Sequence, residues 1–350
     1  MSMSDKPSDT PHKRRVRYRG THPRKFSEKY KEHDPERYKD DVAHVISRGD
    51  TPAGTHRSVC LNEVLEFLDP KPGEIAVDAT LGYGGHSREI IKRILPDGLL
   101  LGFDVDPVEL RKTEARIRAE GIGPESFVAI NASFSTLYRT LSDAGQPMVD
   151  MILADLGISS MQIDNPQRGF SYKNTGPLDM RMNQDSGESA AQLLQRLSEE
   201  EIAAILSANG DEPDADIIAR AILQDRKTML STKDLSRAIR RALTKLKRDD
   251  KEITKATRRV FQAIRIAVNE ELSALDALLL DIPRCLKPGG RVVVLTFHSG
   301  EDKRVVASFE EGLRSGLYSR MHEEDIRESR EERYGNPRSR SVRLRWAIKA

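Results

Sequence analysis

Five short apolar runs, at 75–77, 99–103, 127–130, 149–153 and 291–297, are separated by stretches of helical periodicity. Each run has strand length. Strands alternating with helices predict a parallel sheet with right-handed crossovers and helices on both faces. The rhythm breaks once. From 164 to about 250 the sequence carries helical patterns at 190–197, 199–208, 217–223 and 233–246 but no convincing strand. The expected architecture is therefore an α/β, Rossmann-like sheet formed by 53–163 and 251–350, with a helical insertion domain over 164–250 after the fourth strand. A single long helix from about 254 to 282 should return the chain to the sheet, where Leu286-Lys287-Pro288-Gly289-Gly290 turns into the fifth strand. There is no internal repeat.

Charge is distributed unevenly beneath a net value of +2. Residues 1–25 hold eight Lys/Arg against Asp5 and Asp9, and 1–52 reads as a disordered basic extension. Residues 226–260 hold thirteen Lys/Arg against Asp234, Asp249, Asp250 and Glu252, and 320–350 hold nine against six acids. The remainder is strongly acidic. Clustered cations gain affinity by releasing counterions from phosphates, so a polyanion such as nucleic acid is the expected partner. Two cysteines, Cys60 and Cys285, encode neither a disulfide framework nor a zinc site, and no metal is expected. No apolar run approaches the roughly 20 residues of a membrane span, and a reducing cytoplasmic setting is expected.

The first strand runs into Asp78-Ala79-Thr80-Leu81-Gly82-Tyr83-Gly84-Gly85-His86-Ser87 at the start of a helix. Glycines there allow close backbone approach, and a helix N-terminus offers free N–H groups. Asp104 ends the second strand, where an acid can accept both hydroxyls of a ribose. The loop lacks the last glycine of a dinucleotide fingerprint, and Asp78 disfavours a pyrophosphate but suits a cationic amino acid. A sulfonium cofactor with an amino-acid tail satisfies both acids. The fourth and fifth strands end at Asp155 and at Phe297-His298-Ser299, on the rim where open α/β sheets bind ligands. The polar and aromatic stretches 167–172 and 176–182 then read as a substrate lid.

Taken in order, Asp78 to Ser87, Phe103-Asp-Val-Asp-Pro107, Asp155-Leu-Gly-Ile-Ser-Ser160, Arg168-Gly-Phe-Ser171, Gly176 to Met182, Phe261 to Asn269, Phe297-His-Ser299 and Asn336 to Arg340 resemble the motifs of the bacterial ribosomal RNA small-subunit methyltransferase H family (MraW). The resemblance covers most of the chain from His56 to about Arg345. It implies S-adenosyl-L-methionine as cofactor, 16S rRNA or the small ribosomal subunit as partner, and methylation of the N4 amino group of a cytosine in the decoding region. It also places cofactor contacts on Gly84, Gly85, His86, Asp104, Phe134, Asp155 and Gln162, beside the Asp78 and Gly82 already singled out. The chain departs from the family pattern at Thr254-Lys255, where His-Pro is usual, and at Gly300, where Leu is usual. For the reaction, Asp155 is the expected proton acceptor and His298 the expected positioning or relaying group, with Phe170 or Tyr172 over a flipped base. A dehydrogenase on the same fold, a relative acting on another RNA, and a non-catalytic RNA-binding protein remain open alternatives. So does the oligomeric state, a homodimer included.

Overall fold

The structure, a computed structural model, describes residues 58–323, 325–327 and 339–350, so the expected basic extension over 1–52 and most of the 336–340 motif lie outside the described residues. The five anticipated strands are present as β1 (Ile75–Asp78), β2 (Leu99–Phe103), β3 (Phe127–Ile130), β4 (Val149–Asp155) and β5 (Leu286–Thr296). All five pair in parallel. Two further strands, β6 (Tyr318–Met321) and β7 (Arg343–Lys349), complete a seven-stranded sheet in the order β3-β2-β1-β4-β5-β7-β6. β7 runs antiparallel to both of its neighbours. The sequence 286–290, expected as a turn, is the bulged start of β5: Leu286 pairs with Val149 before the register shifts and resumes at Arg291.

Between the strands of the core lie α1 (Leu61–Leu68), α2 (Gly85–Ile94), α3 (Pro107–Ala119) and α4 (Leu137–Asp143). After β4 come α5 (Ser160–Asp164) and the insertion helices α6 (Ala190–Arg196), α7 (Glu199–Gly210), α8 (Ala215–Gln224), α9 (Thr232–Lys245) and α10 (Asp250–Val268). The chain returns through α11 (Glu271–Cys285), and α12 (Ser299–Arg314) follows β5. One face of the sheet buries Val64 and Leu68 of α1, Ile90, Ile91 and Ile94 of α2, and Leu110 and Ile117 of α3. The other buries Leu137 and Leu141 of α4, Leu275, Leu278, Leu279 and Ile282 of α11, and Val305 and Phe309 of α12. Both faces of the central strands are thus covered, which is why those strands read as continuous apolar runs rather than alternating ones.

The insertion has a hydrophobic core of its own, made by Phe170, Leu178 and Met180 with the apolar sides of α6 to α10. That core takes in Ile253, Val260, Phe261 and Ile264 of α10, so it extends past residue 250. Its helices start on sequence-encoded caps: Ser189 with Gln192, Ser198 with Glu201, Ser231 with Asp234 and Asp249 with Glu252 all form reciprocal capping boxes. The single long helix expected over 254–282 is two. α10 stops at Asn269, Glu270 takes a left-handed φ of 51°, and α11 starts anew. No described helix is long and apolar enough to cross a membrane.

Candidate functional site

The carboxyl ends of β1, β2, β4 and β5 bring the sequence-predicted residues to one rim. Gly84 is the N-cap of α2 at φ 79°, and a Cβ there would sit 2.8 Å from Thr113 Cγ2 of α3, so the loop is locked to glycine by both conformation and space. The loop is also pinned from below: Thr113 Oγ1 donates to Gly82 O at 2.5 Å, and Gly82 N donates to Asp104 Oδ2 at 2.8 Å. Asp106 N donates to the other oxygen, Asp104 Oδ1, at 2.8 Å. Each Asp104 oxygen thus accepts one backbone N–H and keeps a lone pair, an arrangement matched to two vicinal hydroxyls. Burial pushes the Asp104 carboxyl up to about 6, against the lowering by its two backbone donors.

Several residues placed at the site by sequence do other work there. Asp78 is 2% exposed. Its oxygens accept from Ser87 Oγ at 2.6 Å and Thr80 N at 3.1 Å, and burial raises its pKa despite those bonds. These bonds tie the end of β1 to the first turn of α2 beneath the glycine loop. His86 is buried, with Nε2 2.9 Å from Val59 O and Nδ1 3.7 Å from Asp155 Oδ2. A carbonyl only accepts, so Nε2 donates, and Nδ1 faces the Asp155 carboxylate. Gln162 spends both ends of its amide inside the protein. Oε1 accepts Ser159 N, closing the capping box of α5, and Nε2 donates to Asp106 Oδ2 at 3.0 Å. Phe134 opens a single 3-10 turn after β3 and is half-buried against the core.

Asp155 closes β4 with its side chain 28% exposed, and its backbone N donates to Thr80 Oγ1 at 2.6 Å. His298, expected to position the base or relay the proton, is the N-cap of α12 in the structure. Its Nδ1 accepts from Gly300 N at 3.2 Å and Glu301 N at 3.4 Å. Its enclosed Nε2 lies 3.2 Å from Glu301 Oε1 but out of line for a hydrogen bond. The ring is 12% exposed. Phe170, proposed above as a base cover, belongs to the insertion core. Tyr172 is half-buried, edge-on to Phe261, with its hydroxyl accepting from Arg258 Nε at 3.1 Å.

The expected lid is tied down. Gly176 O accepts from Thr232 N, Leu178 N donates to Leu230 O, and Asp179 O accepts from Ala190 N at 2.6 Å. Two side chains that the sequence did not single out hold its far end. Arg168 Nη2 donates to Arg181 O and Met182 O, and Asn269 bonds Met180 O and Met182 N. Their motifs were visible in sequence, but their partners lie too far along the chain for spacing to reveal.

The basic stretch 226–260 is partly neutralised. Arg240 pairs with Asp250, Arg241 with Asp225, Arg248 with Asp214 and Arg259 with Glu212. Lys245, Lys247, Lys251 and Lys255 are exposed and, among the described residues, form no ion pair. No cluster of metal-ligating side chains occurs among the described residues. Cys60 and Cys285 are both buried, and burial pushes the Cys285 thiol up to about 12.

Residues 53–350 match the MraW methylase family. The chain is 47% identical over 344 residues to "Ribosomal RNA small subunit methyltransferase H 1" of Lachnoclostridium phytofermentans, covering 97% of this chain and 93% of that protein. It is 47% identical over 342 residues to "Ribosomal RNA small subunit methyltransferase H 2" of Alkaliphilus metalliredigens, covering 96% and 97%. Among solved structures, a SAM-dependent O-methyltransferase from Thermotoga maritima superposes with a TM-score of 0.38 at 9% identity, covering 83% of this chain and 64% of that one.

Proposed function

The chain belongs to the MraW methylase family, and on that premise we propose that it methylates N4 of a cytosine in the decoding region of 16S rRNA. The observation that carries the cofactor half of this reading is Asp104, an acid at a strand end whose two oxygens are each fixed by one backbone N–H and each left with a lone pair. Ribose hydroxyls suit that pair, and the loop from Gly82 to Gly85 offers backbone at close range. When bound, adenosylmethionine supplies an electrophilic methyl group on sulfur. The names carried by the relatives support small-subunit ribosomal RNA as the acceptor.

The choice of N4 over carbon 5 rests on the cysteines. Methylation at carbon 5 of a pyrimidine needs a thiolate that first adds to the ring. Both thiols here are buried in the core, and Cys285 resists ionisation. An exocyclic amine needs only orientation and a late proton acceptor, because its lone pair is delocalised into the ring. Asp155, the partly exposed acid at the end of β4, is that acceptor. His86, whose Nδ1 faces Asp155 Oδ2 at 3.7 Å, holds that carboxylate in place. His298 acts as a positioning group by capping α12 at the rim.

Small ribosomal subunits from cells lacking the enzyme, incubated with it and adenosylmethionine, should yield N4-methylcytosine on mass spectrometry of the digested RNA. Asp155→Ala should abolish the product, and His86→Ala should slow its formation by about 10- to 100-fold. A methyl group on carbon 5 or a ribose oxygen, or full activity in Asp155→Ala, would refute this chemistry.

A further inference from the structure

An unbroken chain of buried and half-buried polar contacts runs from the acid at the cofactor strand to the C-terminus of the insertion's last helix. Asp106 N holds Asp104 Oδ1. The Asp106 side chain is itself buried, with Oδ1 capping α3 and Oδ2 accepting both Gln162 Nε2 at 3.0 Å and Arg168 Nη1 at 2.7 Å. Arg168 is 7% exposed, and its second nitrogen, Nη2, donates to Met182 O at 2.6 Å and Arg181 O at 3.1 Å. Met182 N in turn donates to Asn269 Oδ1 at 2.7 Å, while Asn269 Nδ2 donates to Met180 O and to Arg265 O, both at 2.8 Å. Arg265 is locked to Glu271 at 2.7 and 2.8 Å.

Two features mark this as more than packing. Met180, between the two clamps, holds a left-handed φ of 63°, a conformation that costs a β-carbon-bearing residue energy and persists only where its surroundings enforce it. Arg168 leaves its own Nε enclosed and without a hydrogen-bond partner while the fork spans an acid on one side and two carbonyls on the other. A planar fork can bridge both sides at once, whereas a point-charge ammonium cannot.

We propose that Arg168 is a positioning residue that couples the cofactor side of the site to the RNA-facing insertion, with Asn269 as the second link. The inference rests on Asp104 as the cofactor acid. A shift of the insertion on α10 moves Asn269 and with it the 180–182 segment. The guanidinium then transmits that shift to Asp106, and the Asp106 backbone N–H sets the position of the Asp104 carboxylate. RNA and cofactor therefore raise each other's affinity through this chain of contacts.

The test is a binding cycle with S-adenosylhomocysteine as the cofactor probe, measured by calorimetry with and without small ribosomal subunits from cells lacking the enzyme. The native chain should bind the probe at least about 5-fold more tightly in the presence of subunits. Arg168→Lys and Asn269→Ser should bring that factor to within about 2-fold of unity while probe affinity alone stays within about 3-fold. Circular dichroism checks folding, and Asn269→Ser carries the test if Arg168→Lys does not fold. No tightening in the native chain, or tightening retained in a folded variant, overturns the proposal. Asp104→Ala separates the two ideas: unchanged probe affinity there removes the cofactor reading itself, whereas weakened affinity with intact coupling in the variants removes only the link.

Discussion

On the proposed reading, Asp104 must be an anion in a place that resists charge. Burial lifts its pKa to about 6, while its task of accepting hydroxyl protons requires the ionised form. The raised folded value means that the protonated state is favoured in the native chain below about 6, and the ionised state must be restored before a diol can bind. Cofactor affinity should therefore rise with pH between about 5 and 7, changing up to about tenfold per unit below the pKa and levelling above it. Calorimetric titration across that range checks this, and Asp104→Asn should flatten the profile at weak affinity. A native profile without a step near 6 would contradict the assignment. Asp104 was legible in sequence because strand ends carry their chemistry in fixed places. Asp78, His86, Gln162 and His298 were found at the rim, but their tasks were not readable. What decides them is a partner distant in sequence or a helix geometry: the carbonyl of Val59, the carboxylate of Asp106, the first turn of α12.

The strands that sequence missed illustrate the same limit at the level of elements. β6 is only four residues long, and β7 reads Arg-Leu-Arg-Trp-Ala-Ile-Lys, a period-two pattern whose cations were counted as a basic patch instead. Those cations are structural. Arg345 grips Asp302 at 2.9 and 3.1 Å, and Arg343 reaches the same carboxylate at 2.7 Å, fastening β7 to α12. Burial alone would raise the Asp302 pKa, but Arg345 and Arg343 hold it below the usual carboxylate range. Its contribution is therefore fully present above the unfolded value of about 4 and fades as pH falls through the lower folded value. Asp302→Asn should cost about 1.5–3 kcal/mol at neutral pH, because it removes the charge-assisted hydrogen bonds that Arg343 and Arg345 make to this carboxylate and leaves the buried Arg345 guanidinium with Asp325 alone at 2.7 Å. Urea denaturation measures this, and a loss under about 1 kcal/mol would show the fastening to be marginal. The break between α10 and α11 escaped for a related reason. No glycine or proline marks Asn269-Glu270, and the helix stops there because Asn269 is claimed by the 180–182 segment.

Across the whole molecule, positive charge is less available than its count suggests. Arg240, Arg241, Arg248 and Arg259 face acids of the insertion itself, which leaves the exposed lysines of α9 and α10 to meet phosphate. Replacing Lys245 and Lys247 together by Ala should reduce the slope of log K against log salt for RNA binding by about 1.4, at roughly 0.7 per neutralised contact on single strands. Replacing Arg240 and Arg241 should alter that slope less and stability more. Filter binding across a salt series distinguishes the two, and an unchanged slope in the lysine variant would assign RNA contact elsewhere. The sheet itself imposes an order on the birth of the protein. Since β7 occupies the slot between β5 and β6, the outer edge of β5 stays unsatisfied while residues 297–342 are being synthesised, and β6 has no partner to lie against. Closure waits for 343–349, so a nascent chain carries an adhesive margin until that stretch has left the ribosome and can fold into its slot.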